Sequence, residues 1–203
     1  MGTDPAGGRL GGAPDDLTAG AIRTVPAVDA AAAVAELLRS RDADGIDHPG
    51  GTLDAHLERV RLRLGELGAG EDLQLAGRAH AVYGTDGFPV TLIDPAQRDV
   101  LRDIAGPAVE AMVYRYGACD RARTWPDLAR TGVLHDRFDG STETLSRADL
   151  RDLVDLTIVN ELDVVEHSAE TAARFGDELR VLFTSWAAAA SPAVVAEATR
   201  VLS

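Results

Sequence analysis

The chain has 203 residues, enough for one core of ordinary size with room for a loose tail. Hydrophobic residues make up 45% but aromatics only 4%, so Leu, Val and Ala must fill the core, a mixture that favours helices packed on helices over a β-sandwich. The formal net charge is -13 and arginine is the only strong cation, which argues against nucleic-acid and membrane partners.

Residues 1–25 are rich in Gly, Pro, Ala and Asp without periodicity and read as a disordered tail, leaving 26–203 as one all-α domain. They carry neither a basic start nor an apolar run, and no stretch approaches the ~20 apolar residues of a membrane span, so a cytoplasmic location is expected. Asp29 reads as the N-cap of a first helix reaching about Arg41, and 42–51 as a loop holding His48-Pro49-Gly50. A second helix, about Thr52 to Leu67, places Leu53, His56, Leu57, Val60 and Leu64 on one stripe. A third, about Glu71 to Tyr83, does the same for Leu73, Ala76, Gly77, His80 and Tyr83 before Gly84-Thr85-Asp86-Gly87 ends it. Asp94-Pro95 and Pro107 open two more helices. Residues 119–145 read as a long irregular connection, the kind of segment that serves as a lid or binding loop. Ser146 with Asp149 resembles a capping box at the head of the longest helix, which runs to about His167, and the last helix begins near Pro192.

Cys119 stands alone, which excludes an internal disulfide or a Cys-based zinc cluster and reads as a small buried side chain. His56 and His80 are different. A single histidine on an apolar stripe is usually a satisfied core residue, but two on consecutive antiparallel helices point into the same interior space. Neutral imidazole can there act as acid, base or metal ligand.

The stretches His48-Pro-Gly-Gly-Thr-Leu-Asp-Ala-His56-Leu and Leu75-Ala-Gly-Arg-Ala-His80-Ala-Val-Tyr-Gly84 resemble the first half of an HD-domain phosphohydrolase, over roughly residues 46 to 168. The wording is closer still to an HD-like family with a degenerate metal motif. The resemblance implies an HD-like helical bundle, with His56 as the first histidine and His80 as the histidine of the His-Asp pair. In that superfamily these residues and a later aspartate bind one or two divalent metals. Here Ala81 stands where the paired aspartate belongs and Asn160 where the final one does. Two imidazoles and an amide do not offset the charge of two metals, which argues against two-metal hydrolysis. If one transition metal (Fe, Mn or Zn) binds, its ligands would come from His48, His56, His80, Asp163 and His167. Asp163 and His167 follow Asn160 by three and seven residues, on one helical face.

The favoured expectation is a metal-free small-molecule enzyme of specialised metabolism. His56 and His80 would act as acid and base, with Tyr83 and Asn160 adding hydrogen bonds, in an isomerisation, cyclisation or elimination. Substrate contacts are expected from His48, Thr85, Arg115, Asp163 and His167, although Arg115 also suits a surface salt bridge. A metal-dependent hydrolase or oxygenase and a non-catalytic ligand-binding or regulatory domain are the alternatives. The expected partner is a small molecule, with a homodimer left open. The literal His135-Asp136 pair lies in the irregular connection, away from any helix end that could carry the motif.

Overall fold

A computed structural model of the chain describes residue 1, residues 27–88 and residues 90–203, so the expected tail over 1–25 lies almost wholly outside the described residues. Among those residues the chain is mainly helical. Helix α1 spans Ala27–Ser40, so Asp29 lies inside the helix and is not its cap. Helix α2 (Leu53–Glu66) follows as its stripe predicts: Leu53, His56, Leu57, Val60 and Leu64 are all buried, and the Thr52 hydroxyl accepts the Ala55 N–H as N-cap. Gly68, at φ 85°, turns the chain, and α3 (Glu71–Ala79) folds back against α2.

Helix α3 ends four residues before the expected Tyr83. His80 is its C-cap, and the Val82 carbonyl accepts the N–H groups of Leu92 and Ile93, drawing the chain out of the helix. The pair Asp94-Pro95 opens a single 3-10 turn, Pro95–Gln97, ahead of α4 (Asp99–Ala105) and α5 (Pro107–Ala118). The connection expected to be irregular is largely ordered. It forms α6 (Arg121–Thr124), α7 (Leu128–Thr131) and an antiparallel hairpin, β3 (Val133–His135) with β4 (Thr142–Thr144). Its residues hydrogen-bond mostly to their own neighbours, a kind of order that hydrophobic periodicity does not register.

Helix α8 (Arg147–His167) is capped by Ser146, whose hydroxyl accepts the Asp149 N–H. From Leu153 to Asn160 every residue of α8 is buried, so it is the central rod of the domain. Helices α2, α3 and α5 pack on it, as do α9 (Ala169–Trp186) and α10 (Pro192–Val201).

The expected loop before α2 is a minimal hairpin in which β1 (Asp47–His48) pairs with β2 (Gly51–Thr52) around Pro49-Gly50. Gly50 sits at φ 80°, and a Cβ there would lie 2.5 Å from His167 Cδ2. Both backbone and contact therefore require glycine. Gly50→Ala should lower unfolding free energy by roughly 2–4 kcal/mol. Gly68→Ala, at a similar φ of 85° but with open space around it, should cost about half as much. Urea denaturation of the two variants measures the difference, and equal losses would mean that the Gly50–His167 contact is slack.

Candidate functional site

Helix α2 presents His56 to α8, the Thr52 cap having set the helix start one turn earlier. His56 Nδ1 lies 2.6 Å from Asp163 Oδ2, and His56 is 1% exposed and Asp163 3%. Arg59, one turn further along α2, closes a bidentate fork on the same carboxylate, with Nε 2.8 Å from Oδ1 and Nη2 2.8 Å from Oδ2. Its Nη2 also donates to the Pro49 carbonyl at 3.1 Å, so one guanidinium ties the hairpin, α2 and α8 together. Burial alone would raise the Asp163 carboxyl, but the hydrogen bonds and charges of His56 and Arg59 outweigh it and hold the group far below the usual carboxylate range. An ionised Asp163 can only accept, so His56 Nδ1 must carry a hydrogen.

The same logic fixes His80. Its Nδ1 lies 2.8 Å from the Gly77 carbonyl and must donate to it, which leaves Nε2 as a lone-pair donor. That Nε2 is 3.4 Å from His56 Nε2. Asn160 completes the cluster, with Oδ1 3.0 Å from His56 Nε2. Its Nδ2 donates to Glu161 Oε1 at 2.9 Å, and the same Glu161 oxygen is held 2.9 Å from Arg121 Nη1. The amide therefore cannot be reversed without setting its oxygen against a carboxylate. Two acceptors, Asn160 Oδ1 and His80 Nε2, face His56 Nε2, so the hydrogen bonds call for a hydrogen there as well. Both His56 nitrogens thus face acceptors, Asp163 at Nδ1 and Asn160 with His80 at Nε2.

Burial, reinforced by the charge of His56, depresses His80 to about 3, so it is neutral. His48 stacks on His56 with ring centroids 4.0 Å apart, and burial followed by the His56 charge depresses it to about 4. Among the described residues the buried His48 Nδ1 finds no hydrogen-bond partner.

These imidazoles close one end of a cavity of about 900 Å³ between α2, α3, α6, α8 and α9. Of the expected site residues, His48, His56, His80, Thr85 and Asn160 line it. Asp163 and His167 do not: Asp163 stands behind His56, and His167 Nδ1 bonds to the Asp163 carbonyl at 2.8 Å. They brace the site without facing the cavity. Tyr83 lies elsewhere, because α3 ends before it and its hydroxyl turns to the buried Glu110 at 3.2 Å. Arg115 is also remote, paired with Glu143 at 2.6 Å and Asp149 at 2.7 Å. The expected lid contributes only Arg121, Ala122, Trp125 and Pro126 to the wall. Cys119 is buried, with its thiol pushed up to about 11, chiefly by burial. Sequence reasoning missed Arg59, although its position one turn after His56 was a usable signal. It also missed the wall supplied by α9, for which a remote helix carries no local sign.

The five residues named as ligands should one metal bind do not all face one point, since Asp163 stands behind His56 and His167 bonds to the Asp163 carbonyl. Among the described residues no group of three or more His, Cys, Asp or Glu side chains is arranged to hold a metal. Ala81 supplies no oxygen and the Asp163 carboxylate is committed to His56 and Arg59, so these residues do not fit a carboxylate-bridged two-metal centre. Residues 37–121 match the model of a domain family of unknown function (DUF6817), a span that includes His48, His56 and His80 and stops short of α8. No curated protein and no solved structure matches the chain.

Neutral His48 and His80 destabilise the fold in acid. Both are depressed below the ordinary histidine value, so the unfolded chain binds protons first, and stability present above about pH 6.5 is lost as pH falls towards 4. Urea midpoints should decline from pH 7 to 5, with His80 contributing up to about 1.4 kcal/mol per pH unit. His80→Asn should flatten the slope, and a midpoint unchanged between pH 7 and 5 would contradict the neutral assignment.

Proposed function

We propose that the chain is a small-molecule enzyme on an HD-like helical scaffold that moves protons with two opposed histidines, most simply to isomerise its substrate. One observation carries this reading: His56 and His80 are each fixed through Nδ1 and bring their Nε2 atoms to 3.4 Å at the end of a cavity. His56, charged between Asp163 and Asn160, is the acid, and neutral His80 is the base.

The pair is coupled. The His56 charge is the second cause of the low basicity of His80, after burial. When His56 delivers its Nε2 proton to a substrate, that cause disappears and His80 becomes the stronger base. One proton reaches the substrate from His56 as another leaves a substrate carbon for His80, so the substrate's formula is unchanged. The Nε2–Nε2 contact then returns the proton from His80 to His56. Cyclisation and elimination could use the same pair.

A second reading has its own observation. His56 Nε2, His80 Nε2 and Asn160 Oδ1 lie 3.0–3.4 Å apart across His56, with their rear atoms tied to Asp163, the Gly77 carbonyl and Glu161. That support is also what a metal ligand set uses, so a single divalent ion on these three neutral atoms is the competing reading.

Deuterium wash-in from D₂O into a panel of enolisable ketones, followed by NMR, tests proton transfer whichever substrate the chain takes. Wild-type protein stripped with chelator should catalyse exchange on at least one ketone, and His56→Asn or His80→Asn should reduce it by about 10²–10⁴-fold. Exchange that vanishes on chelation and returns with Mn, Fe or Zn would favour the single-metal reading. Exchange indifferent to both substitutions would overturn the acid–base reading.

A further inference from the structure

The cavity carries more information than its histidine end. Much of the remaining lining is apolar, with Phe88, Trp125, Val164, Phe175, Leu179 and Leu182 among it. Arg121 is the only arginine among its described lining residues, and the chain has no lysine. That arginine is fully engaged. Its Nη1 is 2.9 Å from Glu161, its Nη2 is 3.2 Å from the Tyr116 hydroxyl, and the guanidinium lies over the Trp125 ring at 4.6 Å.

Three carboxylates, Asp86, Glu161 and Glu178, share the lining with this one guanidinium. At the histidine end the Asp163 carboxylate is shared by His56 at 2.6 Å and Arg59 at 2.8 Å, and the three lining carboxylates outnumber the positive charge this leaves together with Arg121. An incoming phosphate or carboxylate would lose its water for the one His56 ring, whose Nε2 already faces Asn160 Oδ1 at 3.0 Å, and would meet the surplus carboxylates. An uncharged ligand meets no such cost and gains by burying apolar surface against the far wall.

We infer that the cavity selects an uncharged, mainly apolar ligand whose single hydrogen-bonding oxygen is presented to His56, while the apolar body lies between Trp125 and the Phe175 face of α9. The inference deepens the acid–base reading by naming its substrate class, and it rests on that reading for the orientation of the oxygen. The His48 Nδ1, without a partner among the described residues, is a further hydrogen-bonding atom at the same end. A phosphoester, the substrate class that the HD-domain resemblance implies, does not suit these walls.

Two probes with one aromatic body separate the cases. N-phenyl-1-naphthylamine is neutral, and its 8-sulfonate derivative is anionic. Trp125 lines the cavity, so energy transfer from tryptophan reports occupancy. The full chain should bind the neutral probe saturably at one site per chain, and the sulfonate at least tenfold more weakly. Millimolar p-nitrophenyl phosphate should displace neither. Phe175 is 38% exposed, so Phe175→Glu should fold normally, and it should weaken the neutral probe by about tenfold. Glu178→Arg, which exchanges a lining carboxylate for a cation, should narrow the preference for the neutral probe by tightening the sulfonate at least tenfold relative to it.

Sulfonate binding equal to or tighter than neutral binding, displacement by the phosphate ester, no neutral binding, or indifference to Phe175→Glu would each overturn the inference. Binding needs no proton transfer. Failure of deuterium exchange with the probe results intact would therefore reject the chemistry and leave the ligand class standing.

Discussion

The carboxylate of Asp163 receives two α2 side chains one turn apart, His56 at 2.6 Å and Arg59 at 2.8 Å, while the backbone carbonyl of the same residue receives His167. Almost everything functional in the domain depends on that junction. A buried carboxylate is tolerable only when its lone pairs are met, and here an imidazole and a bidentate guanidinium meet them. The arrangement sets the register of α2 against α8, anchors the β1–β2 hairpin through Arg59, and forces a hydrogen onto His56 Nδ1. The far side of the ring is set by other groups: Glu161 and Arg121 orient Asn160 towards Nε2, and burial keeps His80 neutral. Removing one partner would leave the others charged and dry, which costs more than the pair itself contributes.

Each site side chain is held from behind by a group that has no contact with the cavity or only borders it. Asp163 holds His56, the Gly77 carbonyl holds His80, and Glu161 with Arg121 holds Asn160. Pre-organisation of this kind limits the freedom of the reacting nitrogens before any ligand arrives. The apolar part of the lining comes largely from α9, which supplies Phe175, Leu179 and Leu182, whereas α6 both borders the cavity and, through Arg121, helps to hold Asn160 by way of Glu161.

How much of this is legible in the residues varies with the length scale of the interaction. The stripes of α2 and α3 can be read because burial on one face repeats every three to four residues, and the caps Thr52 and Ser146 because an N-cap is satisfied within three residues. Periodicity misplaces the end of α3 because the deciding bonds come from Leu92 and Ile93, ten residues beyond Val82. The same periodicity assigns Tyr83 to the site, and Tyr83 leaves it because the helix stops early. The segment from Arg121 to Thr144 looks irregular because α6 and α7 are one turn each and the β3–β4 hairpin has no alternating apolar face.

The amino-acid sequence by itself determined the mainly helical class, the order of the long helices, and the placement of His56 and His80 on inward faces, because these are consequences of composition and local periodicity. It also determined that Ala81 and Asn160 replace carboxylates of the motif it resembles. Tertiary structure alone decided that Asp163 stands behind His56, that Tyr83 and Arg115 face other partners, and that α9, far along the chain from the histidines, walls their cavity. The physical reason is that a side chain's role depends on which group satisfies its hydrogen bonds, and for Asp163, Asn160 and His56 those groups lie on different helices brought together only by packing.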